Sequence, residues 1–264
     1  MDKQGRKNDQ QIFRTALFIL LANLMIACSQ SGETPPQGSE PYLHYKYETG
    51  SILGRRTLVV FPETVDPQRR WIWRARFLGH QPQVDLKLLE MGYHLAYIDV
   101  TDTWGNTTAI KAWDTFYKHV TEKYSLSSKV VLEGMSRGGL IVYNWANRNP
   151  EKIQAIYADA PICDIQTTQF KNTILEAYGL TEAQALAEKL NPVDSLEGLA
   201  SLKIPIIHVV GDQDKIVPVA QHSAKLKNNY EKLGARLKLI HKPDSGHHPH
   251  SLADPTVIIN YIHH

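Results

Sequence analysis

The chain has 264 residues, 42% hydrophobic and 21% charged, with 29 basic and 27 acidic side chains and a formal charge of +2. At about 150 residues per domain these figures fit one large globular unit or two small ones, and they exclude a disordered or fibrous chain. The near-even charge leaves no basic footprint for nucleic acid, and the two cysteines, Cys28 and Cys163, cannot staple a disulfide scaffold. Cys163, within Ala-Pro-Ile-Cys-Asp, reads as a small buried hydrophobe.

The chain opens with Lys3, Arg6, Lys7 and Arg14, followed by an apolar run from Ala16 to Ala27. That order is the order of a secretory signal, and the run is shorter than the roughly 20 residues that span a bilayer. It ends in Met25-Ile26-Ala27-Cys28, which resembles a bacterial lipobox with Met25 in place of the usual Leu. The resemblance implies a signal peptide over residues 1–27, cleavage before Cys28, and lipid attached to Cys28. Residues 29–41 carry no aliphatic or aromatic side chain and are rich in Ser, Gly and Pro. They predict a flexible tether over 28–41. The competing readings are a cleaved secretory peptide with Cys28 incidental, or an uncleaved anchor helix. Ser29 stands where an inner-membrane lipoprotein often has Asp. The expectation is therefore the cell envelope, outer membrane or periplasm, with membrane contact through the lipid anchor only.

Residues 42–264 predict a single α/β domain. Thr57–Phe61, Tyr93–Val100, Lys129–Leu132, Ile153–Ala158, Ile204–Val210 and Leu237–His241 are short apolar runs bounded by turn residues, and read as strands. Between them, Ile110, Trp113, Phe116, Tyr117, Val120 and Tyr124 recur at helical spacing. Leu140–Trp145, Thr181–Leu190, Val219–Leu233 and Pro255–Ile262 also read as helices, with Thr181 and Gln184 forming a capping box. Near-continuous apolar strands alternating with amphipathic helices predict a mostly parallel, doubly wound sheet with both faces covered. Sites in such sheets lie at the carboxyl ends of the strands.

Three motifs fall at predicted strand ends. Gly134-Met135-Ser136-Arg137-Gly138 is a G-x-S-x-G sequence between a strand and a helix, the context that a nucleophile elbow needs. A hydroxyl is a weak nucleophile until a base takes its proton. Gly211-Asp212-Gln213-Asp214-Lys215-Ile216-Val217-Pro218 offers an acid, and Gly246-His247-His248-Pro249-His250 offers a base. Asp212, as a turn residue, and Asp164, after the preceding strand, compete for the acid's place. His241, His247, His248 and His250 crowd one stretch and invite a metal reading, but they form no compact ligand motif and no cysteine accompanies them. The expectation is no metal and no cofactor.

With Ser136, Asp214 and His247 in that order, residues 50–264 resemble the α/β-hydrolase superfamily. Trp71-Ile72-Trp73-Arg74 and Gly246–His250 look like segments of a bacterial, often exported branch of it. The resemblance implies an α/β-hydrolase fold with room for a small helical cap between Phe170 and Leu199, Ser136 as nucleophile, Asp214 as acid and His247 as base. It also implies an oxyanion loop after Thr57–Phe61, where Pro62 has no N–H to give, so the second donor stays unassigned. The elbow is similar to that of glucuronoyl esterases, which implies oxyanion contact by Arg137; an ion pair of Arg137 with Glu133 is the alternative. Trp71, Trp73, Arg74 and Trp104 are candidate substrate-binding residues, an aromatic wall for a sugar or, equally, core side chains.

The expected function is that of a serine hydrolase, a carboxylic ester hydrolase working through an acyl-enzyme on a small-molecule or glycan ester, acetylated or methyl-esterified carbohydrate foremost. A prolyl-oligopeptidase-like peptidase is the second reading, set back by the lack of a propeller or other gating domain ahead of the fold. A non-catalytic surface-binding lipoprotein is the third. For the anchor, radiolabelled palmitate should enter the wild-type chain and be absent from Cys28→Ser; equal labelling of both would refute it.

Overall fold

The computed structural model describes residues 34–187 and 191–263. The signal segment and Cys28 therefore lie outside the described residues, as do residues 188–190 of the helix expected over Thr181–Leu190. Among the described residues, no helix is long and apolar enough to cross a membrane.

Eight strands form one sheet: β1 (Lys46–Ile52), β2 (Arg55–Phe61), β3 (Trp71–Arg74), β4 (His94–Ile98), β5 (Val130–Met135), β6 (Ile153–Asp159), β7 (Ile206–Gly211) and β8 (Leu237–Lys242). Their order is β1-β2-β4-β3-β5-β6-β7-β8. β2 runs antiparallel to both of its neighbours, and β4 to β8 with β3 are mutually parallel. This is the mostly parallel sheet that the alternating pattern predicts, and it agrees with the α/β-hydrolase fold that the resemblance implies.

Eight helices accompany it among the described residues: α1 (Gln83–Glu90), α2 (Thr107–Lys123), α3 (Gly138–Ala146), α4 (Lys171–Tyr178), α5 (Glu182–Ala187), α6 (Glu197–Ser201), α7 (Ser223–Lys232) and α8 (Thr256–His263). Alternate residues of each central strand pack on opposite faces. Val130, Leu132, Ile156 and Ile206 meet Trp113, Phe116 and Val120 of α2, Ile141 and Trp145 of α3, and Leu226 of α7. Val131, Ala155 and Ile207 meet Val84 and Leu88 of α1 and Ile258 and Ile262 of α8. With both faces covered, the central strands are buried end to end, and their sequences show no alternation of polar and apolar residues. The capping box of α5 forms as expected, with Gln184 N–H donating to Thr181 Oγ1 and Thr181 N–H to Gln184 Oε1.

Order begins before the tether's predicted end. Pro36, Ser39 and Tyr42 are buried, and the Tyr42 hydroxyl donates to Asp85 at 2.6 Å. Gly38 lies so close to the carbonyl of Leu78 that an added Cβ would sit 2.0 Å from its oxygen. Polar composition predicts a loose segment; close backbone packing and one buried hydroxyl hold its last residues down.

Two histidines inside the fold are held neutral. His208, on β7, bonds the Tyr143 hydroxyl through Nε2 and Ser223 Oγ at 2.9 Å through Nδ1. Nδ1 of His222 accepts from the N–H groups of Cys163 and Asp164 at 3.3 and 3.2 Å. Burial pushes His208 down to about 3 and His222 down to about 4. In the unfolded chain both take a proton near pH 6.5. Stability is therefore full above about pH 6.5 and is lost as pH falls towards 4, by up to about 1.4 kcal/mol per pH unit for each histidine. Urea unfolding of wild type should show a lower midpoint at pH 5 than at pH 7.5. His208→Gln should flatten that slope, and an unchanged slope in the variant would count against this cause.

Candidate active site

Three strand ends bring Ser136, Asp214 and His247 together. Ser136 follows β5 and enters α3 with φ at +47°. Its N–H donates to the Asp159 carbonyl at the end of β6, and its carbonyl accepts from Gly139 and Ile162. The turn fits only where neighbours are bare: a Cβ on Gly134 would meet Val142 at 2.8 Å, and one on Gly139 would meet Pro161 at 2.6 Å. The close approach therefore falls two before and three after Ser136, whereas at Gly138, the last glycine of the motif, an added Cβ would meet nothing nearer than 3.5 Å.

His247 lies on the loop after β8, with Nε2 3.0 Å from Ser136 Oγ and Nδ1 2.7 Å from Asp214 Oδ2. Asp214 lies after β7, where its other oxygen accepts from the N–H groups of Ile216 and Val217, both at 2.8 Å. Burial alone would raise its carboxyl, but the bond from His247 and these two N–H donors hold it below the usual carboxylate range. An acceptor-only carboxylate on Nδ1 turns the lone pair of Nε2 towards the hydroxyl. The arrangement can deprotonate Ser136 and carry the proton on His247.

The competing acids are engaged elsewhere. Asp212 pairs with His241 at the surface rather than closing a turn on its own backbone. Asp164 is buried against Lys225 and Asn191.

A second histidine–aspartate pair stands beside the first. His250 Nδ1 is 2.6 Å from Asp159 Oδ1, with both residues buried, and the N–H of Ser251 donates to the other Asp159 oxygen at 2.7 Å. Asp159 thus grips the elbow through its carbonyl and His250 through its carboxylate. His247, His248 and His250 place one ligand atom each within 4.8 Å of one another. A metal there would compete with Ser136 for Nε2 of His247.

The cavity beside Ser136 measures about 430 Å³ and is lined by Phe77, His80, Arg137, Phe170, Ile216 and the histidines 247, 248 and 250. A larger hollow near Lys203, Arg236 and Tyr261 lies at the amino ends of β7 and β8 and holds no nucleophile. Phe77, His80, Phe170 and Asp159 were not singled out in the sequence. Phe77 and His80 share one loop, Asp159 and Phe170 stand far from it along the chain, and no motif marks any of them.

Three expected substrate contacts are core residues instead. Trp71 and Trp73 are fully buried, stacked on each other at 5.4 Å, with Trp73 on Trp113 at 3.9 Å. Arg74 is also fully buried, paired with Asp85 and with Glu133 at 2.9 Å. Burial, followed by the charge of Asp85, pushes the Glu133 carboxyl well above the usual range despite Arg74. Glu133 is therefore Arg74's partner and not Arg137's. Trp104 does stand near the cavity, under the Arg137 guanidinium at 5.1 Å.

The oxyanion loop also needs correcting. β2 is antiparallel to β4, so Pro62 and the loop that follows it sit at the opposite end of the sheet from Ser136. β3, short and unpredicted, runs parallel to β5 instead. The loop after it, Ala75–Phe77, reaches the elbow: a Cβ on Gly138 would lie 3.5 Å from that of Arg76 and 3.8 Å from the Arg76 nitrogen.

Residues 88–263 match the prolyl oligopeptidase family. No curated protein sequence matches significantly. Among solved structures, a Bacteroides ovatus protein proposed to be a dipeptidyl aminopeptidase IV superposes with a TM-score of 0.67 at 16% identity, over 83% of this chain and 36% of that one. Porphyromonas gingivalis dipeptidyl peptidase 4 gives 0.61 at 15% identity, over 77% and 32%. The chain thus spans about a third of the length of these two. A truncated carbohydrate esterase from gut microbiota gives 0.65 at 16% identity, over 88% of this chain and 98% of that one. Such likenesses show the fold.

Arg74→Met should strand a buried carboxylate and lower unfolding free energy by about 3–5 kcal/mol. Stability left intact with a raised KM would instead return Arg74 to the substrate.

Proposed function

Because the chain belongs to the prolyl oligopeptidase family of serine hydrolases, we propose that it hydrolyses carboxylic esters through an acyl-enzyme on Ser136. The observation that carries an ester over a peptide with a free amino terminus is the lining of the cavity, which among the described residues contains no carboxylate. A peptidase that removes residues from a free amino terminus has an ammonium group to hold close to its nucleophile, and an acid is the side chain that holds one. Here the charged group beside Ser136 is Arg137, which repels an ammonium.

His247 takes the hydroxyl proton as Ser136 Oγ attacks the ester carbon. Asp214 stabilises the imidazolium, which returns the proton to the leaving alkoxide. Water then attacks the acyl-enzyme by the same route. The N–H of Arg137 opens α3 beside the nucleophile and is one donor for the oxyanion; the loop Ala75–Phe77 is the place for the second. The fold shared with a truncated carbohydrate esterase supports an acetyl or methyl ester on a carbohydrate as substrate. With Trp71 and Trp73 in the core, the aromatic contacts left for a sugar are Phe77, Trp104 and Phe170. A lipid on Cys28 would place the reaction at the cell envelope.

A peptidase reading draws on the two dipeptidyl peptidase neighbours, and a matched pair of substrates separates it from the ester reading. Wild type should turn over p-nitrophenyl acetate and leave a dipeptide p-nitroanilide with a free amino terminus untouched; the reverse preference would establish the peptidase. Ser136→Ala should lower ester turnover by about 10⁴-fold or more, and equal rates in wild type and variant would sink the mechanism. A fluorophosphonate probe should label wild type and leave Ser136→Ala unlabelled.

A further inference from the structure

Arg137 beside Ser136, and Arg76 on the loop that reaches the elbow, are in no ion pair among the described residues. Arg137 lines the cavity, its carbon 5.1 Å from the ring centre of Trp104 and 5.8 Å from that of Phe77. Among the described residues it makes no ion pair and no side-chain hydrogen bond. Arg76 lies over Phe77 at 4.9 Å and donates to the Thr101 carbonyl, while its Nε is shielded from solvent and has no partner. Burial and the neighbouring charge of Arg137 pull Arg76 down to about 10, so the two cations feel each other.

The acids within reach are already engaged. Asp102 is held by Arg55 at 2.7 Å, and Asp99 faces Arg56 at 3.9 Å. Asp214 and Asp159 each have their own histidine, at 2.7 and 2.6 Å. Asp99 and Asp102 act on Arg76 only from a distance, and among the described residues neither Arg76 nor Arg137 is in an ion pair.

A guanidinium clamped by aromatic rings cannot fold away, and its N–H edge stays open. That edge matches the two oxygens of a carboxylate, which pair with it in one plane. Apolar walls, here Phe77, Phe170 and Ile216, weaken the screening that water would supply.

We propose that the cavity is built for an anionic substrate, an ester that carries a free carboxylate near the scissile bond, with Arg137 as the residue that binds the carboxylate and Arg76 adding its charge from behind Phe77. The substrate being an ester rests on the function proposed above; the anion site itself rests on the arginines.

Isothermal titration of the whole protein with 3-phenylpropionate and with its amide tests the site apart from turnover. Wild type should bind the carboxylate at least ten-fold tighter than the amide. Arg137→Gln should abolish that difference, Arg137→Lys should retain part of it, and Ser136→Ala should retain all of it. Equal affinity in wild type, or a preference that survives in Arg137→Gln, overturns the proposal.

Kinetics give the second arm. For mono-4-nitrophenyl succinate against 4-nitrophenyl butyrate, the ratio of kcat/KM should be ten or more in wild type and should approach one in Arg137→Gln. A variant that slows both esters equally keeps the ratio, which would make the Arg137 guanidinium, like its N–H, an oxyanion donor and overturn its role as the anchor. Carboxylate binding that depends on Arg137, with neither ester hydrolysed, would support the anion site and sink the ester reading.

Discussion

Ser136 is held with φ at +47°, a conformation that costs a residue other than glycine about 1–3 kcal/mol. Three backbone hydrogen bonds keep it there, to Asp159 on the neighbouring strand, to Gly139 in its own helix and to Ile162 beyond β6. The strain is useful because it lifts the hydroxyl clear of the sheet while the chain turns from β5 into α3. Much else follows from keeping that turn rigid. β5 must sit between β3 and β6, so that one neighbour supplies the loop Ala75–Phe77 and the other supplies Asp159. Asp214 and His247 then come from the next two strand ends, after β7 and β8.

Beneath this turn the fold buries ionic groups at a density that needs explanation. Tyr42, Asp85, Arg74 and Glu133 form a connected set in the interior, and Arg74 also donates to the carbonyls of Phe77 and His80. Breaking such a set is costly, whereas replacing all of it by apolar side chains often is not. Its contribution is therefore positional. It ties the segment before β1, helix α1, strand β5 and the loop after β3 to one guanidinium, and that loop is the one that faces the elbow. His250 and Asp159 do the same on the other side, binding the loop after β8 to the end of β6.

The order of strands and helices was legible because hydrophobic period and length separate the two, and the Ser136, Asp214 and His247 turns were legible because each carries its own glycine and follows an apolar run. β3 was not legible. Trp71-Ile72-Trp73 is an apolar run of only three residues closed by a buried arginine, shorter than the roughly four to eight that signal a strand. That one omission moved the expected oxyanion loop to the end of β2, at the wrong end of the sheet. The tryptophans were ambiguous for a related reason: an aromatic on a strand looks the same in sequence whether it lines a groove or a core. The Asp159–His250 pair could not be read at all, since its partners lie 91 residues apart and Asp159-Ala160-Pro161 resembles an ordinary turn.

The contrast between Arg74 and Arg76 sharpens the electrostatic reading of the site. The two are separated by one residue, and the first is surrounded by carboxylates drawn from α1 and β5. The second, half-buried and next to another cation, has no carboxylate in contact among the described residues, and Asp99 and Asp102 act on it only from a distance. A fold able to recruit two acids to Arg74 could place one beside Arg76 or Arg137 by the same means. An acid there would have lowered the energy of the empty site and occupied the donors that Arg137 presents to the cavity. Leaving both guanidinium groups unpaired makes the empty site less stable and gives an incoming anion more to gain. That is the direction expected where binding energy is drawn from the substrate rather than stored in the fold.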